Sequence, residues 1–256
     1  MSDSKPAVLQ PIPIDLREHT TARVALTRTG SSLSTRDTLD FALAHAQARD
    51  AVHTSMSVPS LLEALRSRGL EVLTVKSAAP DRSTYLRRPD LGRTLSSASE
   101  TVLENALKAE EEGNRLTIVL ADGLSALALD RHAIALLDVL LPLLPAWELT
   151  PVVIAEQARV AIADPIGEAF GADLTLLLIG ERPGLSSPDS LGAYLTWAPR
   201  PGRTDAERNC VSNIRTQGLG YSAAAERIAA LANEARRLQL TGTALKDLEA
   251  ALPAPL

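Results

Sequence analysis

Three short runs in the C-terminal half, residues 116–120, 151–155 and 173–179, are apolar nearly throughout and are separated by helix-like segments. A strand with apolar residues at successive positions has to be covered on both faces. Strands that alternate with helices are joined by crossovers and run parallel. The first run ends at Ala121-Asp122-Gly123 and leads into residues 124–144, apolar almost all round, as a helix lying on a sheet would be. Residues 161–170 form the next helix, interrupted or kinked at Pro165. Residues 221–238 form another, with Ala225, Ile228, Leu231 and Ala235 on one face, and residues 240–245 a last strand. The fold class predicted is therefore α/β, with a Rossmann-like parallel-sheet domain over residues 113–256.

Ahead of it the pattern is helical. Residues 38–46 carry an apolar stripe at Leu39, Leu43 and Ala46. A second helix starts with Pro59 in its first turn, turns Leu61, Leu62 and Leu65 inward, and stops near Gly69. Residues 71–75 are expected as a short strand, residues 83–94 as a basic loop, and residues 97–112 as a third helix. Residues 36–112 are thus expected to form a small N-terminal, mainly helical domain. Residues 1–35 are expected as a tail, since Pro6, Pro11 and Pro13 disfavour a helix and residues 27–37 have loop composition. Only residues 15–26 in it have helical character.

Composition narrows the function classes. Apolar residues make up 45% of the chain but aromatics only 3%, so the core is built from Leu, Ala, Val and Ile. A net charge of -5 argues against a nucleic-acid footprint, which needs a basic face. One cysteine, Cys210, makes no internal disulfide, which suits a reducing cytosol. The longest apolar stretch, residues 133–147, is broken at Asp138 and falls short of the roughly 18 residues of a membrane span. The first residues lack a basic segment followed by an apolar run, so no secretory signal is expected. A soluble cytoplasmic protein with no membrane or nucleic-acid partner is the expectation.

The segment 178–215 carries five arginines, four carboxylates and many turn residues, yet keeps apolar anchors at Leu185, Leu191, Tyr194, Leu195, Trp197 and Ile214. It is expected as a long, ordered, irregular segment with a function. Known chemistries fit the chain poorly. The turn after the first strand has one glycine where a dinucleotide fingerprint has three. There is no Gly-x-Ser-x-Gly elbow, and His19, His45, His53 and His132 show no metal spacing. Asp130-Arg131-His132 begins like the cobalt-ligating Asp-x-His-x-x-Gly pattern, but Ala135 stands where that pattern has glycine. It is expected as a polar break on the solvent side of its helix. Cys210 is either a nucleophile or, as is commoner for a lone cysteine, a small buried hydrophobe. Glu181, at the carboxyl end of a strand, is either a ligand contact or half of an ion pair with a loop arginine. No catalytic or metal-binding constellation emerges.

The segment GERPGLSSPDSLGAYLTWAPRPGRTDAERNCVSNIR closely resembles the small subunit of ethanolamine ammonia-lyase. So do YLRRPDLGR (85–93), LADGLSA (120–126), RVAIADPIGE (159–168) and LTGTALKD (240–247). The resemblance covers roughly residues 74–247. It implies a subunit of an adenosylcobalamin-dependent lyase that converts ethanolamine to acetaldehyde and ammonia by a radical rearrangement. The chemistry would lie in a large TIM-barrel subunit, with cobalamin between the two subunits and the small chain inactive alone. By the same resemblance Val160, Glu181 and Cys210 carry over as cobalamin contacts, with no catalytic or metal-ligating residue in this chain. Val160 and Cys210 suit the apolar body of the corrin, while Glu181 can accept from amide N–H groups or a ribose hydroxyl. The family's cobalamin keeps its own benzimidazole as lower ligand, and many members sit inside a bacterial microcompartment. Two rivals remain: a stand-alone enzyme acting on a small nucleotide ligand, and a non-catalytic protein bridging an enzyme to a microcompartment shell.

Overall fold

The computed structural model describes residues 22–106 and 113–245, with Leu16 and Thr20. The chain divides into two compact units, residues 1–46 and 47–256. In the first, β1 (Arg28–Thr29) and β2 (Ser32–Leu33) form a small antiparallel hairpin, and α1 (Thr35–His53) begins. Asp37 joins them: its carboxylate accepts from the Ser34 hydroxyl at 2.8 Å and the Thr27 N–H at 3.1 Å, while Ser34 Oγ accepts the Asp37 N–H. This reciprocal cap satisfies donors that a helix start leaves free. The expected loop at 27–37 is therefore a hairpin and a helix start. Residues 22–26 are not helical, and the rest of the helix expected at 15–26 lies almost wholly outside the described residues, as does most of the tail.

The second unit holds a seven-stranded sheet. Its elements are α2 (Val58–Arg66), β3 (Val72–Lys76), α3 (Arg82–Arg87), α4 (Ser97–Ala106), β4 (Arg115–Ala121), α5 (Ala126–Leu140), β5 (Glu148–Leu149), β6 (Val152–Glu156), α6 (Ala163–Ala169), β7 (Leu174–Gly180), β8 (Leu191–Trp197), β9 (Arg208–Ile214) and α7 (Tyr221–Leu238). The strand order is β3-β6-β4-β7-β8-β9, with β5 paired to the start of β4. Strands β3, β6, β4 and β7 run parallel, whereas β8 and β9 add antiparallel. The sheet is mixed rather than parallel.

Several expectations need correction. The segment 178–215 is not irregular: it contains β8 and β9, and β9 is an edge strand that buries Arg208, Val211 and Ile214 and leaves the residues between them less covered. The basic loop at 83–94 contains α3, capped by Asp81 accepting the Thr84 N–H at 2.8 Å, and a 3-10 turn at Leu91–Arg93. Pro165 does not kink a helix; it stands in the first turn of α6, where its missing N–H has no helical partner. Residues 240–245 form a 3-10 turn, not a strand, because Gly242 takes φ 85° and donates its N–H to Asn209. The strand β3 is hydrogen-bonded into the main sheet beside β6.

Side chains that alternate along each strand build two cores. Leu116, Ile118 and Leu120 of β4 face α5, α7 and α2; Val119 and Ala121 face α6 and α4. Because α5 and α6 follow β4 and β6 onto opposite faces, a crevice opens where the carboxyl ends of β6, β4 and β7 meet, the place where such sheets take ligands. Among the described residues no helix is long and apolar enough to cross a membrane.

Candidate functional site

The floor of the crevice is backbone. After β4 the chain turns at Gly123 (φ +55°), and after β7 it reaches Gly180, whose carbonyl accepts the Leu124 N–H at 3.0 Å. A Cβ on Gly123 would stand 2.2 Å from that carbonyl oxygen, and one on Gly180 would stand 2.0 Å from the carbonyl of Ser125. Only glycine at both positions allows the two turns to close.

One wall is the turn after β6. Gln157 (φ 54°) and Ala158 donate their N–H groups to the Asp122 carboxylate at 3.0 and 2.9 Å. Arg82 braces the same carboxylate at 3.2 Å, and also donates to the carbonyls of Gly123 and Val52. Burial raises the Asp122 pKa to about 6, against the opposing pull of the Ala158 N–H, the Arg82 charge and the Gln157 N–H. Tyr85, fully buried, donates its hydroxyl to the Ala158 carbonyl, and the guanidinium groups of Arg82 and Arg159 stand over its ring, 4.8 and 4.5 Å from the ring centre. These contacts fix the segment that delivers Val160.

The opposite wall comes from β7, β8 and β9. The Glu181 N–H donates to Ser190, and its carboxylate accepts the Asn213 N–H at 3.2 and 3.3 Å. Asn213 takes φ 58°, at the irregular end of the β8–β9 pair. Gly192 leaves room for the Glu181 side chain, which a Cβ there would meet at 3.2 Å. Tyr194 pairs across to Cys210.

The resulting cavity measures about 400 Å³ and is lined by, among others, Tyr85, Leu124, Val160, Ile179, Glu181 and Tyr194. Val160 and Glu181 thus share it. Cys210 stands behind Tyr194 on the edge strand and is exposed, not the small buried hydrophobe expected. Its neighbour Val211 takes the inward position on the strand. Desolvation raises the Cys210 thiol pKa, with the Glu181 carboxylate adding to the rise, so the reactive thiolate is disfavoured.

Other groups depart from expectation. His132 is buried, not on the solvent side; its Nδ1 lies 2.8 Å from the Tyr221 hydroxyl, and Nε2 is 3.4 Å from Asp189. Three arginines of the 178–215 segment serve as clamps. Arg203 grips the Ala198 carbonyl, Arg208 pairs bidentately with buried Asp164, and Arg215 bonds Asn213 and Ser186. Nothing in the sequence alone marks Asp122, Arg82 and Tyr85, because only the strand order brings α3 beside the ends of β4 and β6. Among the described residues no group of His, Cys, Asp and Glu side chains could hold a metal ion. Among the described residues the cavity is lined by no nucleophile–base pair.

The family model described as ethanolamine ammonia-lyase light chain (EutC) matches residues 13–246. The chain is 55% identical over 249 residues to the ethanolamine ammonia-lyase small subunit of Azotobacter vinelandii, covering 96% of this chain and 92% of that one. It is 54% identical to the protein of that name from Bradyrhizobium diazoefficiens, over 95% of this chain and 94% of the relative. For Pseudomonas aeruginosa PAO1 the identity is 54%, over 91% and 86%. With the match running through both walls of the cavity, the chain belongs to the ethanolamine ammonia-lyase small-subunit family.

Proposed function

We propose that this chain is the cofactor-holding subunit of an adenosylcobalamin-dependent ethanolamine ammonia-lyase, working with a large subunit that carries the chemistry. The supporting observation is the cavity at the carboxyl ends of β4, β6 and β7, where Val160 and Glu181 converge and no catalytic set accompanies them. Adenosylcobalamin supplies radical chemistry when bound. The residues fit one side of it: Leu124, Ile179 and Val160 offer apolar contact to the corrin, and Glu181 offers an acceptor to its rim of amides. A cavity of about 400 Å³ is too small to enclose so large a cofactor, which accords with a seat shared between two chains.

Each residue has a defined part in this reading. Val160 meets the corrin body, Glu181 fixes its orientation, and Cys210 extends the wall beside Tyr194. Asp122, Arg82 and Tyr85 hold the Val160 segment still. The parallel part of the sheet serves as a Rossmann-like platform, and the N-terminal tail is left for partner contact. The complex works in the cytoplasm, and enclosure in a microcompartment would depend on that tail.

Co-expression with a candidate large subunit tests the division of labour. Ethanolamine deamination with adenosylcobalamin is expected from the pair and from neither chain alone; turnover by this chain alone would refute it. Absence of cobalamin absorbance from the purified pair would favour a purely bridging protein.

A further inference from the structure

We propose that a second cavity, next to the first, is a phosphate-ester subsite that receives the phosphodiester in the nucleotide tail of cobalamin; this deepens the cofactor-holding reading and rests on it. The cavity measures about 340 Å³, and its lining includes Arg93, Arg159, Val160, Arg203, Thr204 and Asp205. It shares Arg159 and Val160 with the corrin-facing cavity, so a ligand can lie across both.

Its charges are unevenly answered. Arg203 is occupied by the Ala198 carbonyl and the Glu207 carboxylate. Thr204 donates its N–H and hydroxyl to the same Glu207. Asp205 pairs with Arg208 at 3.4 Å. The Arg93 side chain makes no hydrogen bond or ion pair among the described residues. Arg159 stacks on Tyr85, and its Nε is buried with no hydrogen-bond partner among the described residues. Two guanidinium groups without an anion therefore line one cavity, and a buried N–H donor without an acceptor is costly. A guanidinium presents a planar fork of donors that matches phosphate oxygens, so one bound phosphate ester would answer the buried Arg159 donor and the exposed Arg93 charge together. Adjacency to the Val160–Glu181 cavity favours a phosphate carried by the cofactor over a free one.

The test compares cobalamin with cobinamide, the corrin lacking the nucleotide tail, titrated against the two-subunit complex. Arg93→Ala removes an exposed side chain with no partner among the described residues and should weaken cobalamin roughly tenfold, the usual size for a lost charge-assisted hydrogen bond. Cobinamide affinity should stay unchanged. Inorganic phosphate should compete with cobalamin and not with cobinamide. Equal weakening of both corrinoids, or of neither, overturns the proposal. So does phosphate binding to the cobalamin-loaded complex that Arg93→Ala abolishes, which would mark a site for a free phosphate ester. Loss of subunit assembly in Arg93→Ala, read by sedimentation, would instead assign the cavity to a carboxylate of the partner and overturn it too. Glu181→Ala separates the two levels: it should weaken both corrinoids alike, and if it weakens neither, the cofactor-holding reading fails independently of the phosphate subsite.

Discussion

Glu181 spends its carboxylate on a main-chain amide. The Asn213 N–H lies within 3.3 Å of both oxygens, which ties the end of β9 to the end of β7 and holds the side chain at the rim of the cavity. A ligand that uses Glu181 must share it with that amide. Glu181→Ala should therefore accelerate amide hydrogen exchange over residues 209–215 while costing no more than about 1 kcal/mol, since Asn213 is exposed and water can replace the acceptor. Unchanged exchange there would show that the carboxylate does not anchor β9. Asp122 shows the opposite balance. Its folded pKa of about 6 lies above the ordinary carboxylate value of 3.8, so the folded state takes up the proton first. Its contribution to stability is complete below that ordinary value and is lost as the pH rises through about 6. In thermal melts across pH 4 to 7, the difference between the protein and Asp122→Asn should shift over this window and level off above it. A difference that does not vary with pH would contradict the burial cost assigned to Asp122.

At the scale of elements, β9 is tied to the rest of the fold through a buried ion pair. The Arg208 side chain, 1% exposed, forks onto Asp164 at 2.6 and 2.7 Å and so ties the edge strand to α6. Burial raises the Asp164 pKa, while Arg208 pulls it back. Arg208→Ala leaves that carboxylate buried without its partner and should cost about 3–5 kcal/mol in urea unfolding. Replacing both residues with apolar ones of similar volume should recover much of the loss. How legible each element was follows from its surroundings. The strands β4, β6 and β7 stand inside the sheet with helices on both faces, so their apolar runs declared them. In β8 the pattern is broken by Gly192, which makes room for Glu181, and in β9 by polar residues on an open edge. Local pattern cannot report a strand whose neighbours supply half its reason for being extended. The site was legible in a different way. Val160, Glu181 and Cys210 came from family resemblance, while Tyr85, Asp122 and Arg82 became visible only once strand order set α3 beside the turns after β4 and β6.

At the scale of the molecule, two glycine-only turns close the crevice floor, and every wall rests on them. Gly123→Ala places a Cβ against the Gly180 carbonyl and strains a left-handed backbone, so it should separate the ends of β4 and β7. Cobalamin affinity of the complex should fall along with stability, in contrast to Glu181→Ala, which should lower affinity with stability nearly intact. Equal effects of the two substitutions on stability would argue against the floor as the structural keystone. The sheet order carries a further consequence, for synthesis. Strand β6 lies between β3 and β4, both of which precede it in the chain, and Val72 finds its partner only at Val152. Until residue 156 has left the ribosome, two apolar strands wait with a vacant lane between them. Pairings this distant in sequence form slowly and leave strand edges open to aggregation. A chain stopped near residue 150 should sediment as aggregate and draw on chaperones, and slower translation across residues 115–156 should lower the yield of folded protein.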